Sequence, residues 1–237
     1  MKIKNFGWRV LSAIKSHRLP LEVSQSRLAW DDSQNFIYKN LQKNTKLYSD
    51  QWSMRKSVFE MAPPSGELFE FGVFKAASTN FFAGLMRASQ DQRILVGFDS
   101  FTGFSEDWTG VEKSFPKERF DLAGALPEVA DNVRLIDGFI EESLTRYLEN
   151  NNIENIAFVH IDTDTYSPAK TILALLKPFF VPGTVVLFDE LLGYPNWRNH
   201  EFRALDEELH RASYEYLGFA VSGPRANLVK AAIRIVQ

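Results

Sequence analysis

The chain has 237 residues, of which 45% are apolar and 24% are charged, a size and composition that suit one compact α/β domain with an added segment. Its net charge of −3 provides no basic surface field, so nucleic acid is not an expected partner. The absence of cysteine excludes disulfides, thiolate metal sites and a cysteine nucleophile.

The first 64 residues predict a helical cap, set apart from a main domain at 65–237. Phe6, Val10 and Ile14 fall at helical spacing among basic residues, so we expect this segment to cover a core or to contact a partner subunit. Any homo-oligomer is expected to form through it. Because charged residues interrupt its apolar stretch, it predicts neither a cleaved signal nor a stable membrane anchor. The sequence therefore predicts a soluble, cytoplasmic protein.

After Pro64 the chain alternates between strand and helix patterns, which predicts a doubly wound, mostly parallel sheet. The predicted strands are 68–73, 94–98, 133–136, 156–161 and 184–188. The predicted helices are 78–88, 140–149, the segment after Ser167, and 197–212. Two final apolar segments, separated by SGPRA, predict an antiparallel hairpin at the sheet edge.

Two of the predicted strands lead into acidic residues. One carries His160, Asp162 and Asp164 at alternate positions, which share one face if the strand continues that far. The other ends in Asp189 and Glu190. In a parallel sheet both groups lie at the carboxyl edge, where open α/β sheets bind ligands. Carboxylates this close repel one another and need a cation, hydrogen bonds or a raised pKa, although for a single pair helix capping or a solvated loop is the alternative.

The ends of three other strands carry features of a nucleotide pocket. Gly72 lies in a turn that leads to a helix near Ser78, where free backbone amides suit an anion; close strand-to-helix packing explains the glycine equally well. Asp99 ends the second strand, where it suits either ribose hydroxyls or an Asx turn with Ser100. Asp137 follows the third strand and could accept a hydrogen bond from an adenine amino group.

The segments FEFGVFKAAS, FDSFTGF, IDGFIEESL and HIDTDTYSPAKTILALLKPFFVPGTVVLFDE resemble class I S-adenosylmethionine-dependent methyltransferases, specifically the macrocin O-methyltransferase (TylF-like) family. The resemblance spans 66–190 in order and spacing. It implies a Rossmann-like fold that methylates a hydroxyl of a sugar or glycosylated small molecule, with S-adenosylmethionine and Mg²⁺ as cofactors. It places the cofactor against Glu70, Gly72, Ser78, Asp99, Ser100, Asp137, Gly138 and Asp162. It places the metal on Asp162, Asp189 and Glu190, with Asp164 near the acceptor hydroxyl.

Methylation of a hydroxyl requires a group that accepts the proton. We predict Asp164 for this role, with His160 and His200 as alternatives. His160 sits inside an apolar run, so it is also readable as a strand histidine bonded to a neighbour. Near His200, Tyr194 and Trp197 could stack on a sugar ring or belong to the core.

Two departures from the family pattern keep other functions open. Ala76 stands where the family usually has a second glycine, which adds a methyl group at the cofactor turn, and Glu190 stands where it usually has a second aspartate. A non-catalytic binding or scaffold protein with the same fold is one alternative, favoured by Ala76 and disfavoured by the acidic pairs. A nicotinamide-dependent oxidoreductase is another, disfavoured because no glycine-rich pyrophosphate loop is present.

Overall fold

The computed structural model describes residues 21–107, 117–222 and 228–237. The predicted basic helix at the start of the chain, part of the long loop after 98 and most of the predicted SGPRA turn lie outside these ranges. Within them, no helix combines the length and the apolar character that crossing a bilayer requires.

One eight-stranded sheet forms the centre of the molecule. Its strands are β1 (Lys46–Tyr48), β2 (Glu67–Phe71), β3 (Leu95–Asp99), β4 (Val133–Asp137), β5 (Ile156–Ile161), β6 (Phe180–Leu192), β7 (Tyr214–Ser222) and β8 (Leu228–Ile235). They lie in the order β1-β7-β8-β6-β5-β2-β3-β4. Strands β4, β3, β2, β5 and β6 pair in parallel, whereas β8 is antiparallel to both β6 and β7. The predicted doubly wound, mostly parallel sheet and its antiparallel C-terminal hairpin are confirmed.

Helices cover both faces of this sheet. The described ranges contain α1 (Leu21–Asn40), α2 (Gln51–Phe59), α3 (Ala77–Ala88), α4 (Ile140–Asn150), α5 (Tyr166–Leu176) and α6 (Glu201–Glu208). Because neighbouring residues of a strand point to opposite faces, Leu68 packs with α2 and α3. Phe69 and Phe71 pack with α4, α5 and α6 on the other side. Side chains of β2 therefore contribute to the hydrophobic cores on both faces of the sheet, as expected for a strand that is covered on both sides.

The C-terminal part of the sheet differs from the prediction. β6 runs on to Leu192, so Asp189 and Glu190 lie inside a strand and not beyond its end. The hairpin is not at the sheet edge, because β8 enters between β6 and β7, and β7 is covered by β1. β1 itself, within the predicted helical cap, was not predicted, since three residues are too few to show a strand pattern.

The predicted helix at 197–212 is wrong. A 3₁₀ turn at Trp197–Asn199 is followed by α6 and by a second 3₁₀ turn at Arg211–Ser213. His200 separates the first two because its backbone is not helical, with φ −110° and ψ −128°. Leu209 ends α6 with an extended backbone. The amphipathic pattern therefore describes one short helix between two turns.

At the carboxyl edge of the sheet, two backbone hydrogen bonds near Gly72 link the end of β2 to β3 and to the residue after β5. Its N–H donates to the Phe98 carbonyl oxygen at 2.9 Å, and the Asp162 N–H donates to the Phe71 carbonyl oxygen at 2.8 Å. A Cβ on Gly72 would lie 1.8 Å from the Asp162 carbonyl oxygen, and its φ is +89°. Gly72 thus allows the chains leaving β2 and β5 to cross in close contact.

Gly72→Ala is expected to lower the free energy of unfolding by about 3 kcal/mol, because the added methyl meets backbone and φ is unfavourable. The matched control is Gly84→Ala in α3, where no described atom outside the adjoining backbone of α3 lies within 4 Å of the added Cβ. That change should leave stability equal or raise it by about 0.5–1 kcal/mol, as alanine favours a helix. Urea unfolding measures both, and similar effects of the two changes would contradict this account.

Candidate active site

A cavity of about 310 Å³ opens at the carboxyl edge of the sheet. Its wall includes the turn after β2, the start of α3 and the turn after β5. The predicted site residues that line it are Gly72, Ser78, Asp99, Ser100, Asp162 and Asp164. The structure therefore brings residues predicted for the cofactor and for the acceptor into one space.

The other predicted residues do not line this cavity. Asp137 and Gly138 lie just before its wall, which α4 supplies through Ile140 and Glu141. Four more are buried in the sheet or next to it: Glu70, His160, Asp189 and Glu190. His200 is also buried and is absent from the wall formed by the described residues.

Asp99 joins two loops of the cavity wall. Its Oδ2 accepts from the N–H groups of Val73 at 2.8 Å and Phe74 at 2.7 Å. Its Oδ1 accepts from the N–H of Phe101, two residues on, at 2.8 Å. This last bond is the Asx geometry that was the alternative to ribose binding. Asp99 nevertheless lines the cavity, and Oδ1, which accepts one hydrogen bond, has a second lone pair for a ribose hydroxyl, so both roles are compatible.

Ala76 does not crowd the cavity. It adopts the left-handed backbone, with φ +59°, a conformation that glycine takes freely and that costs other residues about 1 kcal/mol. Its side chain is fully buried in a small apolar cluster with Val73 and Phe101. Ala76 is not part of the cavity wall. Alanine in place of glycine at position 76 therefore affects the conformation of the turn and takes up no space in the cavity.

A row of buried charges crosses four neighbouring strands on the α2/α3 face of the sheet. We call Glu70 (β2), His160 (β5), Asp189 (β6) and Lys230 (β8), together with Arg55 from α2, the charge ladder. The Nδ1 of His160 lies 2.9 Å from Glu70 Oε1, and its Nε2 lies 3.3 Å from Asp189 Oδ1. Asp189 also accepts from Arg55 and from Lys230. Signs alternate along the row, so each charge meets an opposite one.

Contacts within the charge ladder favour the charged forms of His160 and Asp189. Burial lowers the pKa of His160, but its contacts with Asp189 and Glu70 outweigh burial and raise the pKa to about 9. Burial raises the pKa of Asp189, but Lys230, His160 and Arg55 hold it well below its usual value. Since both His160 ring nitrogens face carboxylates, this histidine is positioned as an imidazolium within the sheet. It is therefore the strand histidine bonded to its neighbours, and it does not reach the cavity.

The acids after β5 are arranged differently. β5 ends at Ile161, so the prediction that Asp162 and Asp164 share one face of a strand is wrong; Asp164 instead has φ +61°. The N–H groups of Thr163 and Asp164 both donate to Glu201 Oε1, at 3.3 Å each. Glu201 is fully buried at the start of α6, and it was not predicted as a site residue.

These acids lie too close together to be ordinary surface carboxylates. Burial and Asp189 raise the pKa of Asp162 to about 7, and burial and Asp162 raise that of Asp164 well above its usual value. Burial and Asp189 also raise the pKa of Glu190. Burial and Asp162 raise the pKa of Glu201 to about 8. Each shift reports a carboxylate that lacks sufficient positive charge nearby.

Two groups of side chains have ligand atoms within 4.8 Å of one another: His160, Asp162 and Asp189, and Asp162, Asp164 and Glu190. The first does not suit a metal, because both nitrogens of His160 are already used. The second offers carboxylate oxygens, the ligands that Mg²⁺ prefers. Glu190 Oε2 is buried without a hydrogen-bond partner among the described residues, which a cation would satisfy. The second group therefore fits Mg²⁺.

The aromatic residues near His200 belong to the core. Trp197 is 2% exposed and packs edge-on against Phe36 and Phe202. Tyr194 is also buried, with its ring centre 6.0 Å from that of His200. Neither Tyr194 nor Trp197 lines the cavity formed by the described residues. Both side chains therefore belong to the core and are not placed to stack on a sugar in this cavity.

Comparison with known proteins finds methyltransferases of similar fold. The chain is 26% identical to the apo form of CalS11, a TDP-rhamnose 3'-O-methyltransferase of calicheamicin biosynthesis, with a TM-score of 0.56 over 77% of this chain and 78% of that one. A second CalS11 structure gives 23% identity and a TM-score of 0.59 over 96% and 90%. The O-methyltransferase NovP gives 20% and 0.56 over 78% and 79%. No curated protein sequence matches the chain.

A family profile described as a methyltransferase domain matches residues 69–191. This range runs from β2 to the end of the acidic segment in β6 and includes the cavity wall after β2, β3 and β5. The predicted resemblance to class I methyltransferases is confirmed, while the narrower TylF-like assignment stays a prediction. The chain thus belongs to the methyltransferase-domain family.

Proposed function

We propose that the protein is an S-adenosylmethionine-dependent O-methyltransferase that acts on a hydroxyl of a sugar or glycosylated small molecule with the help of Mg²⁺. The observation that carries this proposal is the shared cavity, in which Asp99 and the turn after β2 face the same space as Asp162 and Asp164. The similarity to CalS11, described as a sugar O-methyltransferase, supports the acceptor class.

The cofactor is proposed to lie along the turn after β2. Gly72 and Ser78 line the cavity there, and the first amides of α3 suit the carboxylate of the methionine part. Asp99 lies beside them, where Oδ1 can accept from a ribose hydroxyl. When bound, S-adenosylmethionine would supply a methyl group on a sulfonium ion. The cavity wall would hold the cofactor and the acceptor next to each other.

The acceptor is proposed to lie against Asp164, which lines the same cavity. A hydroxyl is a poor nucleophile, so its proton must leave as its oxygen forms the new bond to carbon and the old carbon–sulfur bond breaks. Burial and neighbouring acids raise the pKa of Asp164, which makes it a stronger base than a free carboxylate. When bound, Mg²⁺ would supply a Lewis acid for the hydroxyl; Asp162 and Glu190, with oxygens within 4.8 Å of one another, would hold it.

Other residues of the cavity wall suit a sugar ring. Trp52 of α2 lines the cavity and is 39% exposed. Phe104 and Lys75 also line the cavity. Aromatic faces pack against the apolar side of sugars, and the exposed Lys75 suits an anionic substituent on the acceptor.

The alternatives have less support. Ala76 was the feature that favoured a non-catalytic scaffold, and it lies outside the cavity wall. A nicotinamide-dependent oxidoreductase would need a pyrophosphate loop, and the turn after β2 carries Phe74 and Ala77 where such a loop has its further glycines. Neither alternative explains why several buried acids are kept together.

Calorimetry and mass spectrometry test the proposed function directly. We expect S-adenosylmethionine to bind and NAD not to bind, because the turn after β2 lacks a pyrophosphate loop. With Mg²⁺ and a panel of nucleotide sugars and glycosides, a product heavier by one methyl group is expected from at least one member. Binding of NAD in preference to S-adenosylmethionine would reject the assignment.

Asp164→Asn is expected to lower kcat by about 10²–10⁴, the usual contribution of a general base. The affinity for S-adenosylmethionine should stay within about twofold, because Asp164 is assigned to the acceptor end. Asp131→Asn, the same chemical change at an exposed site before β4, is the control and should have no effect. Steady-state kinetics with a saturating acceptor measures both, and an Asp164→Asn enzyme with normal kcat would move the base elsewhere.

Asp99→Ala is expected to weaken S-adenosylmethionine binding at least about tenfold, because hydrogen bonds to a charged group contribute about 1.5–3 kcal/mol each. It should also lower stability, since the N–H groups of Val73, Phe74 and Phe101 lose their acceptor. Asp99→Asn, which keeps one acceptor oxygen, should lose less of both. Calorimetry and urea unfolding separate the two roles: lost stability with normal affinity would leave Asp99 a purely structural role.

A further inference from the structure

The turn that carries Asp164 has a strained backbone. The N–H of Thr165 donates to the Thr163 carbonyl oxygen at 2.6 Å, which closes a three-residue turn with Asp164 at its centre. The φ of Asp164 is +61°, so the hydrogen bond and the sign of φ are those of the classic γ-turn, a rare and strained form. Strain of this kind persists only where the surrounding structure holds it. Contacts from outside the turn are therefore needed.

Glu201 supplies such contacts to the γ-turn. Its Oε1 accepts from the N–H groups of Thr163 and Asp164, at 3.3 Å each. Glu201 is fully buried, and its Oε2 has no hydrogen-bond partner in the described part of the chain. The hydrogen bonds that this carboxylate makes there are thus bonds to the turn. Without them, two buried amides would lose their acceptor.

Packing of α6 against α5 holds Glu201 in place. Leu205 of α6 is buried in the same core cluster as Leu173 of α5. Nearer the surface, the Nζ of Lys177 lies 2.8 Å from Glu208 Oε2. Because α5 begins directly after the γ-turn, α6 contacts the turn through Glu201 and also contacts the helix that follows it.

We propose that Glu201 is a positioning residue, which holds the γ-turn and so directs the Asp164 carboxylate into the cavity. Asp164 lines the cavity, whereas Glu201 is not part of the wall formed by the described residues. Glu201 therefore acts through the turn and does not touch the acceptor. The inference rests on the proposed function in taking Asp164 as the base. It predicts that kcat depends on the acceptor oxygen at position 201 and not on its charge.

Two variants of similar length separate the acceptor oxygen from the rest of the side chain. Glu201→Gln and Glu201→Met both remove the carboxylate, but only Glu201→Gln keeps an oxygen that can accept from the two amides. We expect Glu201→Met to lower kcat about 10–100-fold, because a displacement of about 1 Å can cost about 10²-fold. Glu201→Gln should keep kcat within about threefold. Both should bind S-adenosylmethionine within about threefold of the unaltered protein, since the cofactor is proposed to lie along the turn after β2.

The matched control is Glu208→Met, the corresponding change on the same helix at a carboxylate that meets Lys177 and not the turn. It should leave kcat within about twofold. The double variant Glu201→Met/Asp164→Asn tests whether Glu201 acts through Asp164. Its kcat should equal that of Asp164→Asn within about twofold, because the turn then has no carboxylate left to direct.

Three kinetic outcomes overturn the proposal: a loss of less than about tenfold in Glu201→Met, equal losses in Glu201→Met and Glu201→Gln, or losses that multiply in the double variant. The proposed function fails in a different way. A normal kcat in Asp164→Asn alone rejects the proposed base and this inference with it, whereas a normal kcat in Glu201→Met alone rejects only the inference.

The backbone of Asp164 gives a measurement that needs no reaction. In crystals we expect Asp164 to leave the left-handed region in Glu201→Met and to keep φ near +61° in Glu201→Gln; an intact γ-turn in Glu201→Met overturns the proposal. Circular dichroism checks folding. If Glu201→Met does not fold, Glu201→Asp replaces it, because a side chain one carbon shorter withdraws the acceptor by about 1.5 Å. Its kcat should then fall at least about tenfold, and a smaller loss overturns the proposal.

Discussion

The charge ladder is the constraint on which the rest of this structure depends. A single ion buried in a sheet is costly, and only well-placed opposite charges offset that cost. Here Glu70, His160, Asp189 and Lys230 alternate in sign across four strands, and Arg55 brings α2 against the same row. The strands that carry the cavity wall are thus held in register by ion pairs as well as by apolar packing. The ion pair between Arg55 and Asp189 also holds α2 against β6.

The parallel strands and the acids near their ends could be predicted because the pattern is local. An apolar run followed by Asp162 or Asp99 is visible within ten residues. The charge ladder could not be predicted in this way, since Arg55 and Lys230 lie 134 and 41 residues from Asp189. Their meeting depends on α2 packing on one face and on β8 entering the sheet between β6 and β7. No residue spacing in the sequence predicts the packing of α2 or the position of β8.

Glu201 shows how a wrongly predicted helix hides a buried acid that contacts the turn of Asp164. In a continuous helix over 197–212, this acid would have been one more charge on a solvated face. The break at His200 instead turns Glu201 inward, where it accepts from the two amides that hold the turn of Asp164. The signal that could have shown it is the preceding GYPN segment, whose turn-forming residues separate β6 from a new helix that has an acid in its first turn.

The short strand β1 has a consequence for how the chain can be divided. β7 is nine residues long; β8 pairs along one side of it, and Lys46–Tyr48 pair with Gly218–Ala220 on the other. A chain shortened to the predicted domain at 65–237 would lose this cover. A long row of backbone N–H and C=O groups would then be open to strand addition by another chain. Such a fragment would tend to aggregate edge to edge, so the Pro63-Pro64 break in the sequence is a poor place to cut the protein.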